Sequence, residues 1–101
     1  MIENDNSLNI QSLPGHISLL SAYPNPFNPS TNIVFSIFHS SHYKLAVYDI
    51  NGRYLKTLLQ SFLPSGSYTL TWNAAEYVSG IYFIKLDTEF NTLNTKLILI
   101  K

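Results

Sequence analysis

The chain has no cysteine, so it can form neither a disulfide nor a thiolate metal centre, and it has no thiol nucleophile. Charge is also scarce. Lys, Arg, Asp and Glu make up 12% of residues, and six basic and six acidic side chains, scattered singly, cancel to zero. Neutralising nucleic-acid phosphates requires a concentrated basic surface, so nucleic acid is not an expected partner. The longest purely aliphatic run is "LILI", residues 97–100, far short of the roughly 20 apolar residues of a membrane-spanning helix. There is no G-x-S-x-G elbow, no H-E-x-x-H pair and no glycine loop that could cradle a phosphate. The carboxylates Glu3, Asp5, Asp49, Glu76, Asp87 and Glu89 fall at ends and turns. General acid–base chemistry would need two of them to converge in a cleft. The expectation is a non-catalytic module with no cofactor, no metal and no small-molecule substrate.

Apolar residues are plentiful instead. They make up 46% of the chain, with 14% aromatic, too many for a disordered segment. The 101 residues form one domain with an adequate core. The polar start "MIENDNSLNI" is read as linker or expression remnant, with any export signal expected on sequence ahead of it. Residues 1–15 are therefore assigned to the linker and 16–101 to the domain.

Strand signals dominate that domain. "HISLLSAY" (16–23) reads as an edge strand, "TNIVFSIF" (31–38) turns Ile33, Phe35 and Ile37 to one face, and "YKLAVYDI" (43–50) does the same with Tyr43, Leu45 and Val47. Asn51-Gly52 fits a two-residue type I′ hairpin with positive φ at both positions, returning into "RYLKTLLQ" (53–60). "LPSGS" (63–67) is a turn, with Pro64 fixing φ and Gly66 free to take a left-handed conformation. "SYTLTWN" (67–73) alternates cleanly, with Tyr68, Leu70 and Trp72 inward, and Trp72 is expected between two sheets. "AAEYVSG" (74–80) has room for one helical turn. "IYFIKLDT" (81–88) points Tyr82, Ile84 and Leu86 inward, and "LNTKLILIK" (93–101) closes the chain. Seven strands spaced about 8–12 residues apart predict an all-β, Ig-like antiparallel sandwich.

"YPNPFNPST" (23–31) fits no regular element, because Pro24, Pro26 and Pro29 cannot donate to a ladder. It is expected as an extended connection between sheets or along an edge, anchored by the rings of Tyr23 and Phe27. It would also blunt that edge against stray pairing. Three further features invite chemistry. His39 and His42 ("HSSH") flank an expected hairpin loop but lack a third metal ligand. "DING" (49–52) resembles the start of a calcium loop without its acidic series. The outward rings of Phe38, Tyr48, Tyr54 and Phe83 could bind sugar if they formed a flat row.

Taken in order, these segments resemble a known family. "YPNPFNPST", "LAVYDINGRYLKTL" (45–58), "LPSGSYTLTWN" (63–73), "SGIYFIKL" (79–86) and "KLILIK" (96–101) are similar to successive motifs of the type A C-terminal sorting domain of the type IX secretion system. That family overlaps with the Ig-like domain of flagellar hook-capping proteins. The likeness covers about residues 19–101; Asn73, where aspartate is frequent, and Glu76, where glycine is common, depart from it. The resemblance implies an address label on a larger N-terminal cargo, read by the outer-membrane translocon and cut off by a sortase-type peptidase. It implies passage through the periplasm, then the cell surface or release. Carried over by motif, the candidate residues are Tyr23, Pro24, Asn25, Pro26, Phe27, Gly66, Tyr68, Gly80, Tyr82, Lys96, Leu97, Ile98, Leu99, Ile100 and Lys101. On pattern alone the apolar end is either buried on both faces or offers an edge to a partner, with Lys96 and Lys101 as gatekeepers against aggregation. A spacer module of a secreted or flagellar protein and a carbohydrate-binding module are the rival readings.

Overall fold

A computed structural model describes residues 19–89 and 91–101. It contains seven strands: β1 Leu19–Tyr23, β2 Ser30–Ile37, β3 Ser41–Asp49, β4 Tyr54–Leu63, β5 Gly66–Asn73, β6 Gly80–Asp87 and β7 Thr92–Leu99. All pairings between them are antiparallel, in a three-stranded sheet of order β1-β2-β5 and a four-stranded sheet of order β4-β3-β6-β7. This is the expected Ig-like sandwich. Residues 16–18 of the expected first strand, and the assignment of 1–15 to linker, lie outside the described residues.

Alternation sorts the side chains as the sequence predicts. Ile33, Phe35 and Ile37 on β2, Tyr43, Leu45 and Val47 on β3, Trp72 on β5, and Tyr82, Ile84 and Leu86 on β6 are all buried in one core, with Leu97 and Leu99 of β7. Tyr68 and Leu70 pack against that core half-buried. Full burial of each large aliphatic or aromatic side chain contributes on the order of 1.5–3 kcal/mol. Trp72 is the hub. Its ring lies 5.6 Å from Phe27, 5.6 Å from Tyr77 and 5.8 Å from Tyr82. Its indole N–H is buried among them without a hydrogen-bond acceptor.

The chain crosses from one sheet to the other between β2 and β3, between β4 and β5, and between β5 and β6. Each crossing is fastened in the same way. The third residue of the arriving strand is a tyrosine, and its hydroxyl donates to the carbonyl four residues upstream: Tyr43 to His39 at 2.6 Å, Tyr68 to Pro64 at 2.6 Å, and Tyr82 to Val78 at 2.6 Å. Tyr82, on the strand equivalent to strand F of an Ig sandwich, is the tyrosine corner of that architecture. "HSSH" is thus a sheet-to-sheet crossing rather than the hairpin loop expected, because β3 pairs with β4 and β6 and not with β2. The stretch 74–80 forms a turn, closed by Tyr77 N–H on the Ala74 carbonyl at 3.0 Å, instead of a helical turn. No helix occurs among the described residues.

The β3–β4 connection departs from expectation by one residue. Gly52 N–H donates to the Asp49 carbonyl and Asp49 N–H to the Arg53 carbonyl, both at 2.9 Å, so the turn is centred on Ile50 and Asn51. Gly52 follows it with φ +82°, the three-residue hairpin with a left-handed glycine rather than the type I′ turn. Asp49 explains the shift. Its Oδ1 accepts the N–H groups of Asn51 and Arg53, each at 2.9 Å, and Oδ2 accepts Arg53 Nε at 3.0 Å. A carboxylate that caps its own turn makes the longer loop the better-bonded one.

Burial pushes the Tyr82 phenol above the ordinary tyrosine value, with smaller contributions from Tyr77 and Asp49, so its O–H is retained as a donor. Tyr82→Phe should lose this corner and about 1 kcal/mol of stability in urea titrations. Because the folded-state pKa is raised, the native contribution is present below the usual tyrosine pKa and fades as pH rises through the folded value. The difference between wild type and variant should therefore shrink in strong alkali. Gly52→Val should cost at least about 1–2 kcal/mol by the same measurement. A Cβ there meets nothing within 4 Å, so the loss is one of backbone conformation, and Gly52→Asn should lose less.

Candidate functional site

The proline-rich stretch links β1 to β2 within one sheet, yet on the way it lies along the free edge of β7 in the other. Asn25 and Phe27 hold it there. Asn25 Nδ2 donates to the Lys96 carbonyl at 2.8 Å, and its Oδ1 accepts the Ile98 N–H at 3.0 Å. Phe27 N–H donates to the Ile98 carbonyl at 2.9 Å, and the Phe27 carbonyl accepts the Ile100 N–H at 3.0 Å. Phe27 forms a parallel bridge with Leu99, and its ring is buried against Trp72. The loop is also tied at its ends: Thr31 Oγ1 donates to the Pro24 carbonyl at 2.7 Å, and Ala74 N–H to the Pro29 carbonyl at 2.8 Å. The edge placement expected for this segment is therefore found. Of its two expected anchors only Phe27 serves. Tyr23 is 79% exposed, because it ends β1 on the solvent side.

The terminal strand divides its residues between core and surface. Leu97 and Leu99 are buried, Ile98 is half-buried, and Lys96 and Ile100 are exposed. The two-sided apolar run is thus an ordinary inward face plus an outward Ile98 and Ile100, and the edge it could have offered is taken by the strap. Lys101 is more than a gatekeeper. Its Nζ donates to the Ala75 carbonyl at 2.6 Å and the Tyr77 carbonyl at 2.8 Å, and its N–H to Ser79 Oγ at 2.9 Å. It clips the chain's last residue to the turn that precedes β6. The carbonyls of Ala75 and Tyr77 carry no sequence signal, so this contact could not be read in advance.

Most candidate residues therefore come together. Asn25 and Phe27 lie along Lys96–Ile100, and Lys101 reaches the segment leading into Gly80 and Tyr82. Gly66 and Tyr68 do not join them. They open β5 where it pairs with the end of β2, at the opposite pole. Gly66 takes φ +154°, while Gly80 has open space around it and nothing in the structure requires glycine there.

Among the described residues the other candidate groups do not converge. No group of three or more His, Asp or Glu side chains that could hold a metal occurs among the described residues. The carboxylate of Asp49, at the first position of the calcium-loop-like "DING", is turned onto its own backbone. The Arg53 N–H is the main influence holding its pKa below the usual range, with the guanidinium adding to it. Asp87 and Glu89 line an open groove with His42 and Lys44, and Asp87 is engaged by Thr92 Oγ1 at 2.7 Å. The outward rings form no flat row: Tyr48 and Tyr54 stand at 72°. Lys85 Nζ covers the Tyr48 ring at 4.6 Å and Lys44 Nζ the Tyr54 ring at 5.5 Å. A sugar-stacking platform would need those faces open.

The profile of the secretion system C-terminal sorting domain matches residues 21–101, from the end of β1 through the strap to the clipped lysine. The chain belongs to this family. It is a sorting domain of the type IX secretion system, whose substrates are carried to the cell surface or released. Its fold is similar to part of PorZ, an essential bacterial surface component of the type IX secretion system of Porphyromonas gingivalis, with a TM-score of 0.54 and 19% identity. That alignment covers 81% of this chain and 11% of PorZ, so the domain spans about a tenth of the protein it matches. No curated protein shows significant similarity to the sequence. At one departure from the family pattern the sorting domain keeps the needed acceptor: Asn73 Oδ1 accepts the Ala75 N–H at 2.9 Å, a bond an aspartate would make equally.

Lys101→Met keeps the apolar stem and removes the ammonium. Hydrogen exchange should then quicken at the amides of Ala75 and Tyr77 while the β3 and β6 ladders stay protected. Unchanged exchange in the turn would mean that the lysine does not hold it.

Proposed function

We propose that the domain is a non-catalytic address on a larger cargo joined ahead of it, read by the outer-membrane translocon of the type IX system after transit through the periplasm. A sortase-type peptidase then cuts in the linker, leaving the cargo at the surface or in the medium. The observation that carries this reading is the family match over residues 21–101, which includes two motifs that the fold brings into contact. Among the terminal residues, Leu97, Leu99 and Lys101 are engaged within the domain. The side chains left for a receptor are the outward ones, Lys96, Ile98 and Ile100, and Tyr23 is exposed as well. The address is thus a surface held in shape by the rest of the fold.

A fluorescent reporter placed between a signal peptide and residues 19–101 should cross the outer membrane of a host with a type IX system. Deleting "KLILIK" is a poor control, because it strips Leu97 and Leu99 from the core and uncovers Phe27. Lys96→Ala and Ile100→Ser touch outward positions only. Combined, they should leave the thermal transition near that of wild type and strand the reporter in the periplasm. Export of the folded double variant at the wild-type level would remove these side chains from the address. Retention of the intact fusion would overturn the sorting function and leave a spacer module.

A further inference from the structure

Strand β7 carries its most aggregation-prone feature on the side away from β6. A free edge presents alternate N–H and C=O groups that can template another strand, and "LILI" is the uncharged apolar run such pairing favours. In this domain every edge-facing group from the Lys96 carbonyl to the Ile100 N–H is met by the strap. The strap is not itself a strand. It makes a single bridge, at Phe27, and covers the rest with the Asn25 carboxamide. That side chain offers one donor and one acceptor to Lys96 and Ile98, the pattern a peptide group of a neighbouring strand would offer. Pro24, Pro26 and Pro29 have no N–H, so the strap cannot extend the sheet beyond itself. At the other end of the same sheet β4 is handled differently: its pairing with β3 slips at two places, and such bulges twist an edge away from partners.

We propose that the strap is an autoinhibitory guard, and that the occupant it excludes is strand β7 of a second copy of this chain. The edge suits that occupant. Antiparallel pairing about a two-fold axis at Leu97 matches edge-facing residues with each other, setting Lys96 of one copy opposite Ile98 of the other and keeping the two lysines apart. Leu97 and Leu99 stay in their own cores, so neither domain has to unfold. The Asn25 carboxamide contacts and the Phe27 backbone bonds are exchanged for those of the incoming strand, and the Phe27 ring gives up its seat against Trp72 as the strap lifts.

Asn25→Ala tests this by loosening the strap without truncating the Phe27 ring. Wild type should sediment as a monomer over a wide concentration range, with its Ile98 amide protected from exchange. In dilute Asn25→Ala the Ile98 amide should exchange several-fold faster. On concentration the variant should dimerise, and protection at Ile98 should return. Adding Ile98→Pro removes the edge-facing N–H without touching the ladder to β6, and should restore the monomer. A folded Asn25→Ala that stays monomeric at every concentration overturns the proposal. So does a dimer that survives Ile98→Pro, because it would form through another surface. If Asn25→Ala does not fold, Asn25→Gln, which keeps the carboxamide but displaces it by one methylene, must show the same association when folded, or the proposal fails.

Discussion

The fold depends on satisfying the outer edge of its last strand. Backbone groups left without partners at a sheet edge must find water, protein or another chain. Here they find a loop from the beginning of the domain. The contact joins positions more than 70 residues apart in the chain. It closes the two sheets against each other on that side and seats Phe27 on Trp72. It also decides which terminal side chains remain outward. The stiffness of "YPNPFNP" suits a segment in that position. Prolines fix its course along the edge and leave no N–H to donate outward.

A second regularity governs how the chain changes layers. With this topology the backbone changes sheets three times, and each crossing leaves a carbonyl outside the ladders. A tyrosine two residues into the next strand supplies the missing donor each time, while its ring joins or borders the core. Tyr68 and Tyr82, which resemble family motif residues, therefore serve the fold, as does Tyr43, which no motif marked. Motif conformity and surface availability are different properties. Half of the terminal motif is spent on packing.

Local periodicity made much of this legible. Alternation alone placed Ile33, Phe35, Ile37, Tyr43, Leu45, Val47, Trp72, Ile84 and Leu86 correctly, because a strand with one buried face has a period of two whatever its partners. What stayed illegible depended on partners. Nothing near Asn25 announces the backbone of Ile98, and nothing near Lys101 announces the carbonyls of Ala75 and Tyr77. The turn after β3 lies one residue from the position Asn-Gly predicts, because that strong local signal is outweighed by another local one, the capping reach of Asp49 to Asn51 and Arg53. Tyr23 and Phe27 look equivalent in sequence. The strand that brings Phe27 over Trp72 arrives only at the end of the chain. "HSSH" passed for a hairpin loop because sequence spacing does not reveal a change of sheet.

The crowding around Trp72 has a practical side. It is the chain's single tryptophan, and its ring touches one residue of the strap, one of the clipped turn and one tyrosine corner. Its emission therefore comes from one site that senses three separate fastenings. Loosening any of them admits water or moves a neighbouring ring, and intensity or wavelength changes before the sheets part. The domain carries its own optical gauge of whether its carboxyl-terminal fastenings are in place, readable on the isolated domain without any label.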